Sequence, residues 1–542
     1  MPDTHIVTNQ VPELVDHNPA ASPVLVEALI REGGGWGLDE VTELGALSGG
    51  VTAQRWGDLA DRNRPVLHTH DRYGNRIDEI EYDPAYHELM RTAIAHGLHA
   101  APWADERPGA HVVRAAKMGV WTPEPGHVCP ISMTYAVVPA LRHNPELAEV
   151  YEPLLTSRAY DPELKIPTTK AGITAGMSMT EKQGGSDVRA GTTAALPNAD
   201  GSYSITGHKW FTSAAMSDVF LVLAQAPGGL SCFLMPRVLP DGTRNRMLLQ
   251  RLKNKLGNHA NASSEVEYDG AVAWLVGEEG RGVPTIIEMV NLTRLDCTLG
   301  SATSMRQGLT RAMHHAAHRK AFGAYLIDQP LMRNVLADLA VEAEAATIIA
   351  MRMAGATDAA TRGDERETLL RRIGLAAAKY WVCKRATPHA GEAMECLGGN
   401  GYAEDSGMPR LYREAPLMGI WEGSGNVSAL DALRAMATRP ECVEVLFDEL
   451  GTTAGLDTRL DGHVDALRGD LADPTNIEYR ARKVAEDITL ALQGSLLVRH
   501  GHPAVTEVFL ATRMARDWGG AFGTLPVGLD LAPIIERALV KG

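Results

Sequence analysis

The chain has 542 residues, 45% of them hydrophobic and 22% charged, a composition ordinary for a globular protein and a length that predicts several structural units rather than one core. Its formal charge of −15 excludes a globally basic nucleic-acid binder but not a local basic patch. No apolar run approaches the ~18 residues of a membrane span, and the N-terminal MPDTHIVTNQVPELV has neither the basic start nor the apolar core of a secretory leader. The six cysteines are scattered without Cys-x-x-Cys or metal-type spacing, which predicts a reducing cytoplasm and no metal site.

In chain order, residues 1–171 read as a helical domain broken by Pro and Gly. In 85–100, for example, Leu89, Ala93 and Leu98 recur at helical spacing. Residues 172–284 change texture. Segments 203–207, 219–224, 231–235 and 264–268 are short and β-rich, with turn signals at 198–201 and 241–242, so a small β domain is expected. Residues 285–436 return to long helices: Ile373, Ala377, Tyr380 and Trp381 share a helical face, and the Gly398, Gly399 pair stops that helix. Residues 437–542 form a further helical extension, in which 439–470, acidic and broken by Gly and Pro, read as a linker. The glycine run 33–35 follows no clear strand and fails as a dinucleotide fingerprint. His314 and His318, four apart on a helix, have no third ligand.

The loop 176–187, GMSMTEKQGGSD, concentrates hydroxyls and small residues, and Gly184 and Gly185 allow close approach of the backbone to a flat or anionic group. Three further segments lie downstream: 207–213 (GHKWFTS), 318–323 (HRKAFG) with Gln329, and 397–402 (LGGNGY) running on to 420–426 (IWEGSGN). In order and spacing these four resemble the acyl-CoA dehydrogenase superfamily of flavoproteins. The wording TEKQGGSD, the segment 251–262 (RLKNKLGNHANA), the stretch 129–134 and the C-terminal extension of about a hundred residues are similar to its AidB-like branch, associated with the adaptive response to DNA alkylation.

The resemblance implies a mostly α fold with a central β domain: an N-terminal helical domain, a barrel-like middle domain, a helical bundle and the C-terminal helical extension. It implies FAD between the β domain and the bundle, and a homotetramer. Met179 and Thr180 are then expected at the flavin ring and Ser186 toward the phosphates. Phe211 and Ser213 are expected beside the ring. Arg319, Phe322 and Gln329 belong to the element that holds a neighbouring subunit's FAD, and Glu395, Gly398 and Gly399 contact that neighbour's dinucleotide. Ser424 and Asn426 fall on the adenosine side. A flavin needs donors where charge arrives on its ring, and an Arg fork suits a pyrophosphate.

Glu422 is the candidate base for removing the α proton of an acyl-CoA while hydride moves to flavin N5. Its setting among Trp421 and glycines predicts desolvation and a raised pKa. Arg294 and Trp421 are expected at the substrate pocket, and an Arg294–Glu422 pair would oppose that rise. Two other readings stay open on this scaffold: a flavin oxidase or N-oxygenase, and a DNA-binding protective protein with vestigial dehydrogenase activity. For the latter, the cationic candidates are Arg480, Arg482, Lys483, Arg499, Arg513 and Arg516. Residues 439–542 hold eleven Lys and Arg against sixteen Asp and Glu, a balance that argues against duplex binding.

Overall fold

The computed structural model describes residues 4–539. The chain divides into two compact units: Val51–Ala110 with Pro123–Thr293, and Met1–Gly50 with His111–Thr122 and Arg294–Gly542. Among the described residues no helix is long and apolar enough to cross a membrane.

In the first unit the β-rich stretch forms a seven-stranded sheet. Val219–Ala226 pairs antiparallel with Gly229–Pro236, which pairs with Ser264–Val276. That long strand continues to Tyr203–Thr212, then to Ala194–Pro197 and back to Val219–Ala226, so five strands close a ring. Ala175–Ser178 adds in parallel to Val219–Ala226, and Met247–Leu252 adds to Ser264–Val276. The core holds Ile205, Phe220, Val222, Phe233, Leu249 and Val266. Each such side chain contributes about 1.5–3 kcal/mol by leaving water. The four predicted strands are present and longer than expected. Three more, Ala175–Ser178, Ala194–Pro197 and Met247–Leu252, fall outside the sequence reading, being four to six residues long with little β-branching to mark them.

The helix expected in 85–100 runs from Pro84 to Ala95. Asp83 caps it by accepting from the Ala85 N–H, and Gly97 ends it at φ +75°. Two elements depart from the sequence reading. A hairpin, Val66–His70 with Arg76–Glu81, lies in the region read as helical; its turn is set by Asp71, which accepts from the backbone N–H groups of Tyr73 and Asn75. The stretch read as a linker contains two helices, Glu441–Gly451 and Thr458–Ala472.

In the second unit, Pro330–Thr361 and Glu365–Glu395 are the central helices. Residues 336–350 are buried on every face, the mark of a helix surrounded by others. Met408–Met418, Gly425–Thr438 and Ala481–His500 pack in the same unit. The buried acids of the central helix are answered by the C-terminal extension: Arg513 donates to Asp338 and Glu342, and Arg537 to Glu344.

Candidate active site

The loop in the β-containing unit owes its shape to a buried ion pair. Glu181 accepts from Lys209 Nζ at 2.8 Å and from the N–H groups of Thr192 and Thr193 at 2.7 and 3.1 Å. Burial alone would push its carboxyl up. The Lys209 ammonium and the amide donors outweigh that and hold it well below the usual carboxylate range. Lys209, pulled down by its own burial, also donates to the Met179 carbonyl at 3.2 Å. The Trp210 backbone N–H donates to the Thr180 carbonyl at 2.8 Å. Both residues expected at the flavin ring are thereby fixed through their backbones. Gly185 is required here, since a Cβ on it would lie 2.5 Å from Thr180 Oγ1, and Gly184 sits at φ +148° with open space where its Cβ would be. Ser186 is exposed beside them.

At the end of the Tyr203–Thr212 strand, Phe211 is 50% exposed and offers a flat face, with Lys253 Nζ 4.6 Å from its ring centroid. Ser213 Oγ lies 3.5 Å from Ser263 Oγ, and the next residue, Ala214, is held at φ +51° by donating its N–H to Asn261 Oδ1. The same unit has a small cavity of about 50 Å³, partly open to solvent, lined by Tyr82, Tyr86, His87, Tyr160 and Asp218; it contains none of the predicted site residues.

In the other unit the candidate base lies in the turn before Gly425–Thr438. Glu422 is half-buried at φ +57°, followed by Gly423 at φ +103°. Three consecutive carbonyls of this turn accept from buried cations. Lys379 Nζ donates to Trp421 O at 2.9 Å and also to Gly423 O, and Arg294 Nε donates to Glu422 O at 3.0 Å. Asp431 anchors Arg294 at 2.7 Å and also takes two bonds from Arg372. These two guanidiniums hold the Asp431 carboxyl below its usual value against the opposing effect of burial. Arg294 corrects one expectation: at 3% exposed it lies beneath the turn and offers no surface to a substrate. Trp421 is half-buried, and its indole N–H has no acceptor.

Ser424 is the N-cap of Gly425–Thr438 without a side-chain capping bond, and Asn426 Oδ1 accepts from Arg482 Nε at 2.8 Å. The structure therefore joins an expected cofactor residue to an expected DNA residue. Arg319 donates to the Asn9 carbonyl, Gln329 Nε2 to the Ala321 carbonyl at 3.2 Å, and Phe322 is fully exposed at a hairpin tip with φ +52°. Glu395, Gly398 and Gly399 are exposed, and a Cβ on either glycine would meet nothing within 4 Å. Within the β-containing unit, the exposed Ser186 hydroxyl, the flat face of Phe211 and the open backbone at Gly184 fit a dinucleotide with a planar ring.

The basic residues of the extension are mostly neutralised within the chain. Arg480 and Lys483 meet Asp470, Lys483 also meets Asp487, and Arg499 meets Glu449 at 2.9 Å. Arg516 is exposed, 3.7 Å from Asp487. Arg513 is a clear correction: its side chain is 2% exposed and paired with Asp338 and Glu342, so it cannot touch duplex phosphate in the folded chain. His314 and His318 each donate to a backbone carbonyl, of Pro12 and His314 respectively, and among the described residues no cluster of three His, Cys, Asp or Glu could hold a metal. Sequence reasoning missed Lys379, Asp431 and the Glu181–Lys209 pair. Glu181 and Lys209 stood inside the quoted motifs, whereas Lys379 and Asp431 carried no local signal.

Residues 9–162 match the family described as the adaptive response protein AidB N-terminal domain. Residues 176–271 match the acyl-CoA dehydrogenase middle domain, and 280–437 its C-terminal domain. The chain is 42% identical to the putative acyl-CoA dehydrogenase AidB of Escherichia coli, over 93% of this chain and 94% of that protein. It is 31% identical to acyl-CoA dehydrogenase family member 11 of Caenorhabditis elegans, over 82% and 77% respectively. The crystal structure of Caenorhabditis elegans ACDH-11 in complex with C11-CoA superposes with a TM-score of 0.86 at 28% identity, covering 95% of this chain and 94% of that one.

Proposed function

The chain belongs to the acyl-CoA dehydrogenase family, in its AidB-like branch, and from that premise we propose that it is an FAD-dependent oxidoreductase that desaturates an acyl-CoA between its α and β carbons. The observation that carries this reading is the turn at 420–425, which holds Glu422 half-buried in a left-handed conformation with every flanking carbonyl fixed. The C11-CoA bound by the ACDH-11 relative supports a thioester substrate.

The residues that the family resemblance assigns to FAD are Met179, Thr180, Ser186, Phe211 and Ser213, and on the adenosine side Ser424 and Asn426. When bound, FAD supplies the acceptor for the hydride that leaves the β carbon. Glu422 takes the α proton onto its carboxylate, and the C–H electron pair left behind becomes the new Cα–Cβ double bond. Thr180 and Ser213 offer hydroxyl donors, and the Glu181–Lys209 pair keeps their loop in register. Arg319, Phe322, Gln329, Glu395, Gly398 and Gly399 serve a neighbouring subunit of a homotetramer; a wholly exposed aromatic at a hairpin tip supports such a partner. Six buried cysteines, none in a disulfide, support a reducing cytoplasm. A duplex-DNA role in the alkylation response draws little support from an extension whose cations are so largely answered by carboxylates within the chain.

Anaerobic flavin reduction by straight-chain acyl-CoAs tests the reading. Glu422→Gln, with FAD content unchanged, should slow reduction by about 10²–10⁴, the usual contribution of a positioned base. Equal rates in the two proteins would remove Glu422 from the chemistry.

A further inference from the structure

We propose that Lys379 is the positioning residue for the base: its buried ammonium straddles Glu422, gripping the carbonyls on either side and so fixing where the carboxylate points. The inference rests on Glu422 being the base. Lys379 is 1% exposed and projects from the middle of the Glu365–Glu395 helix. Among the described residues it forms no ion pair. Its hydrogen bonds go to Trp421 O at 2.9 Å and to Gly423 O. Burying a charge with only carbonyl dipoles around it is unfavourable, so the arrangement has to be explained by what it holds.

What it holds is a strained turn. Glu422 adopts φ +57° and Gly423 φ +103°. A non-glycine residue in the left-handed region persists only where its surroundings over-determine it. Here they do. An ammonium has three donors arranged about one point, and two of them reach carbonyls two residues apart, which pins the Trp421–Glu422 and Gly423–Ser424 peptide planes. Arg294 takes the carbonyl between them, and Ser428 Oγ adds a second donor to Gly423 O at 3.2 Å. Arg294 has Asp431 to keep it in place, but Lys379 is committed to the turn alone. Tyr380, the next residue on the helix, would lie 3.5 Å from a Cβ placed on Gly425, so the helix also backs the far end of the turn.

Proton abstraction is sensitive to this geometry, because a displacement of about 1 Å remote from the reacting atoms can cost about 10² in rate. Lys379 is buried and its hydrogen bonds go to the turn, so its part is to position Glu422. Its loss should therefore lower the rate at saturation and leave binding alone.

The test uses Lys379→Met in the full chain with two readouts. With FAD bound, the limiting rate of anaerobic reduction by an acyl-CoA should fall about 10²-fold while the half-saturating acyl-CoA concentration stays within about threefold. In the flavin-free protein, amide hydrogen exchange across 419–426 should accelerate at least about tenfold, with the rest of the Glu365–Glu395 helix unchanged. Lys379→Gln, which keeps an N–H donor without the charge, should recover part of both. If Lys379→Met does not fold, Lys379→Gln carries the same two measurements. Wild-type reduction, or wild-type exchange across the turn, overturns the proposal, as does an exchange increase spread over the whole unit. Glu422→Gln separates the two ideas: if it reduces at the wild-type rate the base assignment fails, whereas if it is slow and Lys379→Met is not, only the role of Lys379 fails.

Discussion

Replacing Arg513 by Met should destabilise the helical unit severely. Arg513 donates to Asp338 at 2.5 Å and to Glu342 at 3.0 Å, all three side chains being buried. After the substitution Glu342 keeps Arg385 at 3.2 Å, but among the described residues Asp338 keeps only the Gly523 N–H. Breaking a buried pair by removing one partner costs about 3–5 kcal/mol. A second route bounds the Glu342 part of that cost from above. Burial alone pushes the Glu342 carboxyl up, and the Arg385 and Arg513 guanidiniums outweigh it, holding it at about 2. Against an ordinary value near 4.5, that depression corresponds to roughly 3 kcal/mol, shared between the two guanidiniums. Its sign fixes the pH window: the stabilisation is complete above about 4.5 and is lost as pH falls from there toward 2. At neutral pH the thermal midpoint should drop by about 6–10 °C, taking roughly 2 °C per kcal/mol for a large domain. Part of the wild-type loss of stability between pH 4.5 and 2 should vanish in the variant. Arg516→Ala, at an exposed pair, should change the midpoint by less than about 2 °C. A shift that small for Arg513→Met would refute the network. So would a duplex affinity whose salt dependence weakens by about one phosphate contact in the folded variant, since Arg513 would then reach DNA.

That network also shows what the sequence conceals. Arg513 and Arg516 read alike in the chain, as two cations three apart, yet one is buried and the other exposed. The difference lies in two carboxylates, 175 and 171 residues earlier, buried in a central helix. The middle strands were legible because long apolar runs between Gly and Asp turns have few alternatives. The Val66–His70 hairpin was not, because its faces are partly exposed and its residues mostly polar. The two helices within 439–472 were hidden by their own signals. Glu441 and Glu444 occupy a first turn and Asp457 is an N-cap, so acidic residues that favour helix starts looked like a charged linker. At the proposed site, the family resemblance carried by the motifs nominated Glu422. Its support could not be read, because Lys379 and Arg294 reach the turn across 42 and 128 residues, a separation that leaves no local pattern.

The loop that opens the flavin reading should fail when its hidden pair is broken. Lys209→Met leaves Glu181 buried with neutral donors only, so Thr180 and Gly185 lose their register, and FAD affinity of the flavin-free protein should fall at least about tenfold by fluorescence titration. An unchanged affinity would detach the pair from the cofactor. Phe322 offers a test in which the sign of the effect decides. Its side chain is fully exposed and its φ is +52°, a conformation that costs a bulky residue about 1 kcal/mol or more and suits glycine. If the hairpin tip faced only water, Phe322→Gly would relieve strain and stabilise the protein by up to about 1 kcal/mol. If it docks on a neighbouring subunit, the same change removes a buried aromatic contact, and the assembly should dissociate at higher protein concentration in light scattering. FAD affinity should fall with it, because Arg319 and Gln329 flank the same hairpin. A stabilised variant of unchanged mass and unchanged FAD affinity would take the hairpin out of any interface. Loss of assembly together with FAD would show that a conformation unfavourable in one protomer is retained because a second one repays it.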